Sequence, residues 1–244
     1  MAKLYVGLSG FSYKPWQGEG RFYPVGLKQK DFFTYYAERY NAVEMDGTWY
    51  RMPSEAGVAA WIANSPDNYK FTFKAHRSIS HIKRLKLEAI DDLKFMLKRL
   101  EPLEKTGRLA CVFVQLAPSM KRNDDRLREF LEAMPTGHPY AFEFRNETWF
   151  VPEIEALLAS HGVAWVGWDT DETPAQRRDT GPFAYMRLRR ESYSDDVIQD
   201  WANYFQSILD KGKDCYVFFK HEDDGSPWVD ANRLLRVMGR EVRE

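Results

Sequence analysis

The sequence predicts an α/β fold of the (β/α)8 TIM-barrel type with one irregular crossover. Eight β-rich runs alternate with amphipathic helical stretches, and this alternation implies parallel strand pairing. The chain has 244 residues, so each unit takes about 30 residues, as in barrels of this class. After Trp168 only a polar stretch with two prolines, DTDETPAQRRDTGP, precedes the next strand. We therefore expect a weak or missing helix between the sixth and seventh strands.

The predicted strands are short runs rich in β-branched and aromatic residues. In order they are Leu4–Leu8, Ala42–Asp46, Lys70–Ala75, Leu109–Leu116, Tyr140–Phe144, Val163–Trp168, Ala184–Leu188 and Cys215–Phe219. A doubly wound open sheet is the alternative, but no GxGxxG motif follows the first strand and eight strands close naturally. No repeat or low-complexity linker indicates a second domain, so residues 1–244 are expected to form a single barrel domain.

The predicted helices have apolar residues at helical spacing on one face. They cover Lys28–Tyr40, Glu55–Ala63, Leu87–Leu103, Asp124–Met134, Pro152–Ser160, Asp195–Asp210 and Trp228–Gly239. Four glycines stand where a helix should end before the next strand, at Gly107, Gly137, Gly162 and Gly212.

The composition narrows the class of protein. Apolar residues make up 44% of the chain, enough for a large core, and the net charge of −1 gives no overall sign of nucleic-acid or membrane binding. Cys111 and Cys215 lie far apart in apolar runs, which is typical of reduced core cysteines. No signal-peptide core or membrane-length apolar run is present. These features predict a cytoplasmic protein without membrane association.

The fifth strand, within YAFEFRNETW at Tyr140–Trp149, carries the most informative charges. With a period of two, Phe142 and Phe144 point to one face while Glu143 and Arg145 point to the other. Neighbouring segments are expected to cover both faces, so the carboxylate and the guanidinium should be buried and paired. A buried charged pair at the end of a strand is typical of the floor of a site.

Polar side chains end most of the predicted strands, where barrel active sites lie. They are Ser9, Glu44, Asp46, Lys74, His76, Gln115, Glu143, Arg145, Asp169, Arg187, Lys220 and His221. One interpretation is a structural ion-pair network in which these charges neutralise one another. We favour a functional pocket, because charges converging from most strands cost more desolvation than scaffolding alone warrants.

The loops at the same end supply rings and further cations. The aromatic residues are Phe11, Tyr13, Trp16, Phe22, Tyr23, Trp49, Tyr50, Trp149, Phe150 and Trp228. They either pack on one another or stack on a sugar or nucleobase. The basic residues are Arg77, Lys83, Arg84, Lys86, Lys121, Arg122, Arg177, Arg178, Arg189 and Arg190, which together could form a positive rim.

Six long runs carry a resemblance to a known family. They are GLSGFSYKPWQGEGRFYP at Gly7–Pro24, VEMDGTWYRMPS at Val43–Ser54, FTFKAHRSISHIKRL at Phe71–Leu85, FVQLAPSM at Phe113–Met120, EFRNETWF at Glu143–Phe150 and AYMRL at Ala184–Leu188. With these runs the chain resembles the DUF72 (YecE-like) family, which implies a TIM-barrel-like fold over nearly its whole length and no particular activity. The chain departs from the family pattern at Phe11, Trp49, Arg189–Arg190 and Lys220–His221.

The leading functional hypothesis is a protein that binds or acts on a small anionic, phosphorylated or sugar-like ligand. Arg145, Arg187 and Lys74 would hold the anion, because guanidinium groups suit oxyanions. Either Glu143 or Glu44 would serve as general acid or base. The remaining candidate binding residues are Gln115, Asp169, Trp16 and Tyr50. Lys74 as a Schiff-base amine ranks lower, since adjacent carboxylates should keep it charged.

Two other functions stay open. A metal-assisted hydrolase or isomerase would draw its ligands from Glu44, Glu143, Asp169, His76 and His221, although no HxH or HExxH spacing occurs. A non-catalytic nucleotide or nucleic-acid binding module would use the basic rim and the aromatic loops, and is less favoured. The sequence leaves open whether the chain is an enzyme, and it indicates no particular cofactor, no metal site and no oligomeric state.

Overall fold

The structure, a computed structural model, describes residues 1–220 and 226–243 and consists of an eight-stranded parallel barrel surrounded by helices. The strands are β1 (Leu4–Leu8), β2 (Ala42–Met45), β3 (Lys70–Lys74), β4 (Leu109–Gln115), β5 (Tyr140–Glu143), β6 (Ala164–Asp169), β7 (Phe183–Leu188) and β8 (Asp214–Phe219). From β2 to β8 each strand pairs with the next one in sequence, β8 returns to pair with β1, and an isolated bridge, Ser9–Glu44, links the ends of β1 and β2. The predicted (β/α)8 architecture is confirmed. The predicted candidate His221 lies outside the described residues.

Seven α-helices cover the outside of the barrel within the described part of the chain. They are α1 (Phe32–Ala37), α2 (Glu55–Ala63), α3 (Ala89–Lys105), α4 (Asp124–Ala133), α5 (Pro152–Ser160), α6 (Asp195–Asp210) and α7 (Pro227–Val237). Residues 170–182 between β6 and β7 are all described and contain no helix, as predicted. The first helix is shorter than predicted, because residues Gln29–Asp31 form a 3-10 turn instead. None of the described helices is long and apolar enough to cross a membrane.

Strand period two divides the apolar side chains into two cores. Val43, Phe71 and Phe142 point outward and pack under the helices. Phe113 and Tyr185 point inward and help to fill the barrel interior. Because both faces of every strand are covered, charged residues on the inner face have no water beside them and must find partners within the barrel.

The barrel closes between β1 and β2 through side chains more than through a backbone ladder. The Tyr36 hydroxyl accepts a hydrogen bond from Leu8 N at 2.6 Å and donates one to Ala42 O at 3.1 Å. Asn41 similarly accepts from Val6 N at 2.8 Å. Gly7 makes room for this arrangement, since a Cβ there would lie 2.1 Å from Ala42 O.

Candidate functional site

A cavity of about 590 Å³ opens at the carboxyl ends of the strands. Its lining residues come from the ends of several strands and the loops after them, and they are Tyr13, Asp46, Gly47, Trp49, Tyr50, Lys74, Gln115, Pro118, Arg145, Arg189 and Lys220. A second cavity, of about 470 Å³, lies at the opposite end beside Leu4–Val6 and the end of α1. Active sites of barrels of this type are built at the carboxyl ends of the strands, so the first cavity, here named the mouth, is the candidate site.

Below the mouth lies a floor of charged side chains with no exposed surface: Arg187, Glu44 and Glu143. Arg187 donates from Nε to Glu44 Oε2 at 2.9 Å and from Nη2 to Glu44 Oε1 at 2.8 Å. Its Nη1 donates to Glu143 Oε2 at 2.7 Å. One guanidinium on β7 thus holds two carboxylates that come from two other strands, β2 and β5.

Neutral donors complete the coordination of both floor carboxylates. The Tyr185 hydroxyl donates to Glu44 Oε2 at 2.6 Å, and Gln115 Nε2 donates to Glu143 Oε1 at 2.8 Å. Thr72 on β3 is hydrogen-bonded to the Tyr185 hydroxyl at 2.9 Å. A buried charge is tolerated only when such partners replace water, and the floor meets that condition.

The two floor carboxylates differ in their acidity. Burial would raise the pKa of Glu143, but Arg145 and Arg187 outweigh it and lower that pKa to about 2. For Glu44, burial dominates over the attraction of Arg187, so its pKa is raised above the ordinary value. Glu143 therefore stays ionised at neutral pH, held between two guanidinium groups.

Above the floor lies an upper layer of charged side chains that face the mouth: Arg145, Lys74, Lys220 and Asp46. Arg145 is paired with Glu143, and its guanidinium carbon lies 4.2 Å from the centre of the Trp168 ring. Lys220 Nζ lies 3.0 Å from Asp46 Oδ2. Burial would raise the pKa of Asp46, yet the charges of Arg187, Lys220 and Lys74 hold it well below its usual range.

Three aromatic residues line the mouth, Tyr13, Trp49 and Tyr50, and the last two form an aromatic wall. Trp49 and Tyr50 meet edge to face with ring centres 4.6 Å apart, and Tyr50 is 69% exposed. The other predicted loop aromatics largely pack on one another. Trp16, for example, is 2% exposed and lies edge to face with Trp228 at 5.8 Å.

The loop after β3 has unusual backbone geometry beside the mouth. Residues Ser78–Ile82 form a π-helical turn. Arg84 and Leu85 then adopt φ angles of 50° and 60°, in the left-handed region that non-glycine residues rarely occupy. His81 of this loop packs edge to face on Trp49 at 5.1 Å. Strained turns of this kind are common beside functional sites.

The structure brings together five of the predicted site residues, Glu44, Lys74, Glu143, Arg145 and Arg187, although in two layers. Because Glu44, Glu143 and Arg187 are fully buried, they have no surface on which to touch a ligand. Lys74 and Arg145 face the mouth, as do the predicted residues Gln115 and Tyr50.

Two predicted binding residues do not line the mouth. Asp169 points outward, where it accepts hydrogen bonds from the Tyr193 hydroxyl at 2.7 Å and from Arg189 N at 3.0 Å. Asp169 lies four positions after Trp165 on β6, so both side chains point to the same, outer face of the barrel. Trp16 is buried in the aromatic cap.

Asp46 and Lys220 stand among the predicted strand-end residues and Trp49 among the predicted loop aromatics, but the functional hypothesis assigns none of the three to binding, and all three line the mouth. The inward direction of the two charged residues follows from period two. Asp46 follows Glu44 by two positions, and Lys220 follows the inward Phe218 by two positions. Trp49 belongs to a 3-10 turn over Asp46–Trp49, which no strand pattern predicts.

The proposed metal ligands are not assembled among the described residues. Glu44 and Glu143 are bound by Arg187, Asp169 points outward, and His76 is hydrogen-bonded to Ser78 Oγ at 2.8 Å. No group of three or more histidine, cysteine, aspartate and glutamate side chains in residues 1–220 and 226–243 is arranged to hold a metal ion.

Many of the predicted rim cations are paired with acidic side chains. The pairs are Lys83–Asp92, Arg122–Asp124, Arg177–Asp200, Arg178–Glu155 and Arg190–Asp169. This pairing weakens the positive field that a nucleic-acid surface would require.

Comparison with known proteins identifies the family. The sequence model of the family described as "Protein of unknown function DUF72" matches residues 5–244. The chain belongs to the DUF72 family. UPF0759 protein YunF of Bacillus subtilis (strain 168) is 21% identical over 274 aligned residues, covering 96% of this chain and 94% of that protein. UPF0759 protein YecE of Escherichia coli (strain K12) is 28% identical over 162 residues, covering 66% of this chain and 55% of that protein.

Solved DUF72 structures share the fold. A DUF72 family protein from Thermotoga maritima superimposes with a TM-score of 0.81 at 25% identity, covering 98% of this chain and all of that one (100%). A DUF72 family protein from Enterococcus faecalis gives a TM-score of 0.78 at 18% identity, with 99% of both chains covered. These similarities support the barrel and do not by themselves indicate a ligand.

Proposed function

We propose that the mouth of this DUF72 barrel binds a small anionic molecule, such as a phosphorylated or carboxylated sugar-like compound. The observation that carries the proposal is the charge of the lining. Among the described residues that line the mouth, four are cationic (Lys74, Arg145, Arg189 and Lys220) and one, Asp46, is a carboxylate. Cations gathered around a cavity attract anions, and partial burial strengthens the attraction.

The floor leaves Arg145 available to a ligand. Glu143 already accepts from Arg187 and Gln115, so it does not depend on Arg145 alone. Arg145 has Glu143 as its one hydrogen-bonding partner among the described residues, and its other N–H groups can serve a phosphate or carboxylate. Stacking on Trp168 holds the guanidinium plane in place before a ligand arrives.

The aromatic wall suits the uncharged part of such a ligand. Tyr50 exposes most of its ring, and Trp49 stands beside it. Flat rings next to cations are typical of sites for sugar phosphates and nucleotides, in which a ring and an anion are bound together.

Thermal melting with added anions tests the proposal. Phosphate, sulfate and sugar phosphates should raise the melting temperature of the wild type, because a ligand that binds the native state stabilises it. Replacing Arg145 by Lys keeps the charge but removes the paired N–H donors of the guanidinium, so the free energy of anion binding should weaken by about 1–3 kcal/mol. Arg128→Lys, an exposed change on α4 away from the mouth, is the matched control. No stabilisation of the wild type by any of these anions would refute the proposal.

A further inference from the structure

We infer that Lys74 is a nucleophile that forms an imine with the carbonyl group of an anionic aldehyde or ketone bound in the mouth. The inference rests on the proposed function and specifies its ligand: a molecule with a carbonyl carbon near a phosphate or carboxylate.

Lys74 is the last residue of β3, and its side chain lines the mouth. The Thr48 hydroxyl donates to Lys74 O at 2.7 Å, which fixes the backbone from which the side chain extends. The Nζ atom lies 5.5 Å from the centre of the Trp49 ring. Among the described residues it has neither a hydrogen bond nor an ion pair within 4.0 Å, so its lone pair is not committed once the amine loses its proton.

The surroundings of the amine favour its neutral form. Burial lowers the pKa of Lys74 to about 8, with Arg187 and Lys220 acting in the same direction and Asp46 and Glu143 opposing. Burial thus outweighs the carboxylates in setting this pKa, and although the amine is still mostly protonated at neutral pH, about a tenth of it is neutral there, far more than for an exposed lysine. The charged and titratable groups around the amine are Asp46, His81, Glu143, Arg145, Arg187 and Lys220.

The step is a condensation that releases water. The neutral amine attacks the carbonyl carbon, a C–N bond forms, and the carbonyl electron pair moves to oxygen, which takes up a proton. The nitrogen of this carbinolamine then loses a proton and the hydroxyl group takes up a second one, so that the C–O bond breaks and water leaves as the protonated C=N bond forms. Solvent in the open mouth supplies and accepts these protons, and no oxidant or reductant is required. Arg145 would hold the anion of the same molecule.

The chain offers a matched control on the same strand. Lys70 begins β3, and burial lowers its pKa as well. It lies at the opposite end of the barrel, where its Nζ donates to Gly107 O. If a lowered pKa alone made a lysine reactive, Lys70 would react as Lys74 does. A higher reaction rate at Lys74 would therefore come from its position in the mouth.

Borohydride trapping tests the inference. The wild type would be incubated with pyridoxal 5′-phosphate, an anionic aldehyde, then reduced with borohydride and mapped by peptide mass spectrometry. Pyridoxal, the same aldehyde without phosphate, is the second probe. We expect labelling at Lys74 on the order of tenfold faster than at Lys70, faster with the phosphorylated probe, and slowed by excess inorganic phosphate. Lys74→Arg should remove the labelled peptide.

The outcomes distinguish this inference from the proposed function. If phosphate raises the melting temperature of the wild type but Lys74 reacts no faster than Lys70, the imine is refuted and the anion site stands. If Lys74 reacts equally fast with both probes and phosphate neither slows labelling nor stabilises the protein, the anionic substrate class is refuted together with the proposed function.

Discussion

The floor and the upper layer of the mouth contain similar charges, yet they differ in how completely those charges are satisfied. In the floor, Arg187 donates to both Glu44 and Glu143, and all three side chains are fully buried. In the upper layer, Lys74 and Arg145 face the cavity with few protein partners. The comparison teaches that burial and hydrogen bonding, rather than charge alone, separate residues that hold the barrel together from those that can meet a ligand.

Removing the floor guanidinium should have the largest effect. Arg187→Met would leave two buried carboxylates without their shared partner, so the free energy of unfolding should fall by about 3–5 kcal/mol. Urea denaturation would measure the loss, with Arg145→Met in the upper layer as the matched control. Equal losses in the two variants would contradict the division into two layers.

The pH dependence of the free energy of unfolding should show how much ionised Glu143 stabilises the fold. Its pKa of about 2 in the folded protein lies below the ordinary 4.5. The ionised carboxylate therefore stabilises the fold above about pH 4.5, by roughly 3 kcal/mol, and this contribution is lost as the pH falls toward 2. Glu44 acts in the opposite direction, because its pKa is raised on folding.

The measurement is urea denaturation of the wild type and Glu143→Gln at pH values from about 5 to about 3. Both proteins share all other titrating groups, so the difference between their slopes reports Glu143. The stability of the wild type should fall more steeply. Parallel curves would show that Glu143 is not held by the two guanidinium groups.

The seam between β1 and β2 provides a neutral counterpart to the floor. Tyr36→Phe removes the acceptor of Leu8 N and the donor to Ala42 O at a buried position. Leaving buried polar groups unpaired should cost about 1–3 kcal/mol in the free energy of unfolding. Tyr35→Phe on the same helix is the control, and a Tyr36→Phe variant as stable as this control would contradict the role of the hydroxyl in closing the barrel.

The smallest effect on stability is expected in the upper layer. Arg145→Lys should change the free energy of unfolding by no more than about 1 kcal/mol, because Glu143 keeps Arg187 and Gln115. Anion affinity, measured by calorimetry with phosphate, should fall more than stability does. A large loss of stability with no change in affinity would place Arg145 in the floor instead.

Much of the barrel could be predicted from local patterns in the sequence. Alternating strands and helices gave the (β/α)8 architecture, and the proline-containing stretch after Trp168 gave the missing helix. The glycines expected to end helices adopt positive φ, for example 68° at Gly107 and 64° at Gly162. The inward direction of Glu143 and Arg187 likewise follows from period two, because that parity is a property of a single strand.

The tertiary structure alone decided which charge meets which, and therefore which residues remain open to a ligand. Glu44 and Arg187 are 143 residues apart and meet only because barrel closure brings β2 and β7 across from each other. No local pattern shows that Arg187 would be covered and that Arg145 would face the mouth, because burial depends on what the other strands place above each residue. The pKa of Lys74 is equally non-local, since it reflects the balance between the burial of its amine and the charges that four other strands bring around it.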